Sequence, residues 1–282
     1  MTTSRFLEVE RDGVGLILWT SDRFPPGTVA AFSTRRGGVS TGPYATLNLS
    51  LSGGDEPRAA AENHRRFRQA AGVRGPVYCA RQVHGNRVVA VDDLAGEPAA
   101  AGLRRAGEAD GLLTARPGRF LLTFHADCLP IFLVDPEAPV AVLLHAGWRG
   151  TTAGIAVEGV RAATAAGARP DRILAGIGPG VGPCCYEVDG PVIDRVRQVL
   201  GDGAAAVLKP AGPGRAYLDL WETNRRLLAA AGVREENIAV AGICTCCDAR
   251  RFFSYRRARG APLGQMAAVL GFSAGAGEAG AA

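Results

Sequence analysis

Four histidines stand in the chain, at positions 64, 84, 125 and 145. Three of them fall where apolar runs meet polar loops, so side chains from separate strands can converge there. His84 lies in Gln82-Val83-His84-Gly85, His125 precedes Ala126-Asp127-Cys128-Leu129-Pro130, and His145 opens His145-Ala146-Gly147-Trp148-Arg149-Gly150. His84, Cys128 and His145 offer two imidazoles and one thiolate. Three such ligands leave a fourth position open, which is the pattern of catalytic rather than structural zinc. That position would hold an activated water or polarise a substrate oxygen. The spacing is long-range, and the same residues also read as buried histidines satisfied by ordinary hydrogen bonds. His64 sits among charges and reads as an exposed helical histidine.

A second feature follows His145. A strand enters a glycine-bearing turn and then a helix over 151–166 that opens with Thr151-Thr152. Free N–H groups at a helix start bind anions, and Gly147 and Gly150 allow close approach. Arg149 can present a planar fork to phosphate or carboxylate, or simply form a surface ion pair. GPGVG at 178–182 is another glycine-rich loop before a helix. The CTCC stretch at 244–247 lacks a second ligand pair at zinc-ribbon spacing and reads as buried thiols at a strand end. Cys184-Cys185 has poor geometry for a disulfide and receives no role.

The elements that must position these groups follow from period and punctuation. Runs at 6–10 and 14–19 alternate like strands around an Asp12-Gly13 turn. Further strands fit 28–33, 77–80, 88–91, 120–124, 131–134, 140–144, 173–177, 238–243 and 266–272. A helix fits 56–71, with Asp55 as N-cap and Gly72 as its stop. Others fit 191–200 and 219–231. Early hairpins do not suit a purely parallel sheet, so the class is α+β, sheets inside and helices outside. No stretch reads as a linker, which predicts one domain over 1–272. The tail 273–282 (SAGAGEAGAA) has nothing to pack and is expected to be disordered.

Composition narrows the function. The chain has 282 residues, 47% hydrophobic, with 32 Lys+Arg against 27 Asp+Glu. The basic residues are dispersed, without the stripe and interleaved aromatics of a nucleic-acid binder. No apolar run approaches a membrane span, and the start carries no signal peptide. Seven cysteines without an export signal read as thiols or metal ligands in a cytoplasmic protein. The expected partners are small molecules, with the chain a monomer or small homo-oligomer.

STRRGGVS at 33–40, QVHG at 82–85, ADCLP at 126–130, HAGWRG at 145–150, GIGPGVGPCCYEV at 176–188 and FFSYRR at 252–257 together resemble the YfiH/YlmD-like laccase-domain family. The resemblance runs in order from about Thr28 to Phe272. It implies a layered α/β/β/α sandwich with zinc on His84, Cys128 and His145. It implies phosphorolysis of adenosine, inosine and methylthioadenosine, with some adenosine deamination. Members were first described as polyphenol oxidases, and some are linked to editing of peptidoglycan precursors. Many relatives carry an arginine where this chain has Gln265, so an anion contact there is not carried over.

Within that frame phosphate is expected beside the helix after His145, held by Arg149 and Arg35. Asp127 is a candidate general base or partner of a ligand histidine, and His125 another supporting group. Asn48, Tyr255 and Arg256 are candidate substrate contacts, with packing as the bland alternative. Three rivals stay open. A copper oxidase could draw on His84, Cys128, His145 and Met266, the only internal methionine, but four histidines cannot build a trinuclear centre. A cysteine or zinc amidase would use Cys128 as nucleophile or ligand, with Asp127 as orienter. A binding protein without turnover is the third.

Overall fold

Asp12 and Gly13 both take positive φ, 52° and 74°, and turn Arg5–Arg11 back onto Val14–Thr20. Arg11 pairs with Val14, so the loop is the two-residue hairpin expected of Asp-Gly. The computed structural model describes residues 4–51 and 54–274. Most of the expected tail, 275–282, lies outside them.

The hairpin begins an eight-stranded mixed sheet. From one edge its strands are Arg5–Arg11, Val14–Thr20, Thr28–Ser33, Met266–Phe272, Phe120–His125, Val77–Arg81, Arg104–Glu108 and Glu97–Pro98. A six-stranded sheet runs Ile238–Val240, Leu174–Ile177, Leu129–Asp135, Val140–Ala146, Gly111–Thr114 and Val88–Ala90. Three short strands, Glu187–Val188, Arg215–Leu218 and Leu208–Gly212, form a small separate sheet.

Period-two alternation shows how these layers stack. In Val140–Ala146, Ala141 and Leu143 join the cluster of Trp19, Phe32, Leu121 and Phe132 between the two large sheets. Their neighbours Val142 and Leu144 face the opposite way, onto Ile155, Val160, Val196 and Leu228 of the helices Ile155–Ala165, Gly190–Leu200 and Leu220–Ala230. In Met266–Phe272, Ala268 and Leu270 point inward, while Ala267 and Val269 meet Phe67 of the helix Pro57–Ala71. Helix, sheet, sheet and helices therefore stack in four layers, as expected. Leu129–Asp135 and Val140–Ala146, at the middle of the six-stranded sheet, are buried along their whole length, which is why they read as continuous apolar runs.

Three local expectations are corrected. His64 is fully buried, and its Nε2 lies 2.8 Å from the Leu49 carbonyl. Burial holds its pKa down at about 4, so it is neutral at pH 7. The first helix starts one residue late: Glu56 occupies the cap position, and Asp55 instead accepts from Ser40 Oγ and Asn48 Nδ2. The helix expected over 151–166 is two helices, Trp148–Thr152 and Ile155–Ala165, parted by Gly154 at φ 85°. Sequence periodicity also passed over Arg104–Glu108, Gly111–Thr114 and the Leu208–Gly212/Arg215–Leu218 hairpin.

Candidate metal centre

The chain crosses between the two large sheets at Ala126-Asp127-Cys128. Phe120–His125 belongs to the first sheet and Leu129–Asp135 to the second. Asp127 takes φ 88° to make the corner, a left-handed conformation that aspartate tolerates better than most residues. Pro130 pairs with His145 across the antiparallel ladder, so Cys128 and His145 meet at one end of the sandwich. His84 arrives from the loop after Val77–Arg81, itself at φ 60°.

The ligand atoms of His84, Cys128 and His145 all lie within 4.8 Å of one another. The two imidazole rings sit 5.0 Å apart and nearly perpendicular, at 77°. A Cβ on Gly147 would stand 2.8 Å from Cys128 Sγ and 3.2 Å from His84 Cδ2, so only glycine leaves this cradle clear. Two nitrogens and a sulfur suit zinc or copper, and the cavity side remains open for a further ligand.

Asp110 holds the arrangement together. Its Oδ1 accepts from His145 Nδ1 at 2.8 Å and from the His84 amide at 3.0 Å. Its Oδ2 accepts from the amides of Gly85 at 2.7 Å and Val83 at 3.1 Å. One carboxylate thus orients the His145 ring, with Nε2 as its candidate donor to a metal, and folds the loop bearing His84. Burial would raise the Asp110 carboxyl, but His145 and these amides hold it below the usual range. Burial would likewise raise the Cys128 thiol; the charge and hydrogen bond of His145, with His84, bring it down to about 6. His145 responds in the opposite sense. Burial is outweighed by the Cys128 thiolate and Asp110, which lift it to about 9. The two shifts share one cause: each group, when charged, favours the charged form of the other.

His125 supports the turn and is not a ligand. Its ring nitrogens lie 2.8 Å from Thr123 Oγ1 and 3.0 Å from the Cys128 carbonyl. Burial and the neighbouring His145 charge keep it neutral.

His84, Cys128 and His145 stand on the wall of a cavity of about 1750 Å³. Trp148, Arg149, Tyr186, Tyr255, Arg256 and Gln265 share that wall. Arg149 lies over the Trp148 ring at 4.5 Å and Arg256 over Tyr186 at 5.1 Å. Neither guanidinium forms an ion pair among the described residues, so both remain available to an anion.

Residues 29–273 match the family described as multi-copper polyphenol oxidoreductase laccase. The chain belongs to that family. The purine nucleoside phosphorylase YlmD of Geobacillus stearothermophilus is 40% identical over 260 residues, covering 90% of this chain and 94% of that protein. A purine nucleoside phosphorylase of Deinococcus radiodurans is also 40% identical, covering 89% of this chain and 91% of its own length. The crystal structure of Geobacillus stearothermophilus YlmD superposes with a TM-score of 0.87 at 37% identity, over 96% of this chain and 100% of the other.

The chain has four histidines, too few for a trinuclear copper centre beside a second metal site. His84 and His145 stand in the candidate metal group, and His64 and His125 are engaged elsewhere. Met266 does not complete a blue-copper set, because its sulfur accepts from the Phe253 amide at 3.1 Å in the core between the sheets.

Three sequence candidates have structural work. Arg35 spends Nε on the Ala45 carbonyl and Nη1 on the Ala249 carbonyl, and stacks on Phe253 at 4.3 Å, outside the cavity lining. Asn48 is buried behind that wall, where its Oδ1 accepts from the Gln265 amide. Asp127 reaches the cavity, but its carboxylate is held by Thr245 Oγ1 at 2.7 Å, Ser254 Oγ at 2.9 Å and the Arg256 amide at 2.6 Å. With three donors on it, Asp127 is a tie between loops, and the partner of the ligand histidine is Asp110. Arg149, Tyr255 and Arg256 do line the cavity. Asp110 escaped notice because the short strand after it, Gly111–Thr114, did too. The available signal was an acid directly before a GLLT run.

The cysteines of the 244–247 stretch differ from expectation: Cys247 is exposed and Cys244 and Cys246 half-buried, rather than buried at a strand end. No helix among the described residues is long and apolar enough to cross a membrane.

Proposed function

We propose that this chain is a zinc-dependent purine nucleoside phosphorylase acting on adenosine, inosine and methylthioadenosine, with adenosine deamination as a side activity. The observation that carries the reading is one cavity holding the His84–Cys128–His145 set together with two guanidiniums that stack on aromatic rings and form no ion pair among the described residues. The cavity has room for a nucleoside and an anion together. Zinc, when bound, supplies Lewis acidity toward an oxygen of phosphate, water or the nucleoside. Arg149 and Arg256 bind phosphate by charge-assisted hydrogen bonds. Trp148, Tyr186 and Tyr255 offer faces for the purine. The relatives named as purine nucleoside phosphorylases support this assignment, and the thiol-rich composition is consistent with a cytoplasmic setting.

The test uses metal-analysed protein with inosine or adenosine, with and without phosphate, products resolved by chromatography. Phosphate-dependent release of hypoxanthine or adenine, lost on chelation and restored by zinc, is the expected result. No base release from zinc-loaded protein would discard it.

One observation favours a second reading. Cys128, His145 and Asp110 stand in series, a layout that would suit the nucleophile, proton carrier and orienter of a thiol amidase. Asp110 takes the place that sequence reasoning gave to Asp127. An amidase of this kind would act on cell-wall precursors only in the metal-free state, and zinc would inhibit it.

A further inference from the structure

A second group of metal-capable side chains shares no residue with the first, although Cys185 of this group lines the same cavity. The sulfurs of Cys184, Cys185, Cys244 and Cys247 all fall within 4.8 Å of one another. Cys247 Sγ stands 3.3 Å from Cys184 Sγ and 3.4 Å from Cys185 Sγ. Tetrahedral zinc with Zn–S bonds of about 2.3 Å needs sulfurs about 3.8 Å apart, within this range.

Two loops bring the thiols together. One is residues 178–186, the other residues 243–247. The Gly180 amide donates to the Ile243 carbonyl at 3.1 Å, and the Thr245 amide returns a bond to the Gly180 carbonyl at 3.0 Å. The Gly182 amide donates to Cys244 Sγ at 3.2 Å, a contact that stabilises sulfur as thiolate. A Cβ on Gly182 would come within 2.6 Å of Trp221 and 3.2 Å of the Cys244 Cβ, so the approach depends on glycine. Cys244 and Cys247 have the C-x-x-C spacing of zinc ligands. The partner pair they lack nearby in sequence is Cys184-Cys185.

We infer that Cys184, Cys185, Cys244 and Cys247 form a tetrathiolate zinc site that staples the glycine-rich loop to the C-terminal loop. The donors are all soft sulfur, and four protein ligands close the coordination shell, so the ion is structural. Binding displaces the thiol protons to solvent and needs no oxidant. The stapled loops carry Val181, Tyr186 and Cys246 of the cavity wall, and Thr245 anchors Asp127 beside Cys128. The ion therefore acts on the catalytic cavity by fixing one wall of it. The inference is independent of the substrate.

The experiment is elemental analysis of full-length protein purified under reducing conditions, with mass-spectrometric mapping of thiols that iodoacetamide reaches without denaturant. Wild type should hold about two zinc ions per chain and the His84→Ala variant about one, because only the first site is removed. In both, Cys184 and Cys247 should resist alkylation despite their exposure, and become labelled once a strong chelator removes the metal. A Cys184→Ser/Cys247→Ser double variant should lose one zinc relative to wild type. If that variant fails to fold, the His84→Ala stoichiometry and protection pattern still decide. A His84→Ala protein without zinc whose Cys184 and Cys247 are freely alkylated overturns the site. So does a disulfide between the two loops in reduced preparations.

Discussion

Asp110 and His145 meet through a 2.8 Å hydrogen bond between Oδ1 and Nδ1, both side chains almost completely shielded from water. The same carboxylate gathers the amides of Val83, His84 and Gly85. Replacing Asp110 with asparagine removes charge from the His145 contact and turns an acceptor oxygen into a donor facing backbone N–H groups. Zinc affinity should fall about 10- to 100-fold, read by competition with a chromophoric chelator. Unchanged affinity would mean that the ligands are positioned without it.

Metal uptake should depend on pH in a direction set by the pair of ligands. His145, lifted to about 9, carries a proton on its ring below that pH, and zinc must displace it. Cys128, lowered to about 6, is already thiolate above that pH. Apparent affinity should therefore rise by about one decade per pH unit from about 6 to about 9, and more steeply below about 6. A flat profile across that window would show that metal-free His145 is neutral. Alkylation of Cys128 in metal-stripped protein should fall off as pH drops through about 6.

Asp127 binds three donors, from Thr245, Ser254 and Arg256, so its replacement acts on structure. Asp127→Ala leaves buried donors unpaired and should cost about 2–4 kcal/mol in denaturant unfolding. Asp127→Asn tolerates the positive φ and keeps one acceptor, so it should be milder. Its phosphorolysis should keep the wild-type pH profile at reduced rate. Loss of the acidic limb in Asp127→Asn would make this carboxylate the general base after all.

Arg149→Ala removes a guanidinium that stacks on Trp148 and faces the cavity without a carboxylate partner among the described residues. The KM for phosphate should rise about 10- to 100-fold, as for loss of charge-assisted hydrogen bonds. The melting temperature should stay within a few degrees of wild type, since the side chain is exposed. Wild-type phosphate kinetics would take Arg149 out of the site.

Phe132 lies at the centre of the layer between the two sheets, fully buried, with its ring 5.8 Å from Trp19 and 6.5 Å from Phe6. Phe132→Ala should lower unfolding free energy by about 3–5 kcal/mol. A smaller loss would mean that the two sheets can close over the void.

The sequence by itself determined the elements whose signals are local. The Asp12-Gly13 hairpin, the Gly72 helix stop and the long apolar strands each announce themselves within a few residues, through φ preference or continuous burial. His84, Cys128 and His145 were legible because imidazole and thiol are rare here and stand at loop junctions. Tertiary structure decided what depends on partners distant in sequence. Asp110 gains its role only when Gly111–Thr114 pairs beside Val140–Ala146 and brings it under His145. His64 is buried rather than exposed because the 48–51 loop closes over its helix and supplies a carbonyl. Asp127 is tied to Thr245 and Ser254, residues 118 and 127 positions away. Cys184 and Cys247 touch across 63 positions. A carboxylate's function is set by the donors that reach it and a thiol's by its neighbouring sulfurs, and in this fold those neighbours come from separate strands and loops.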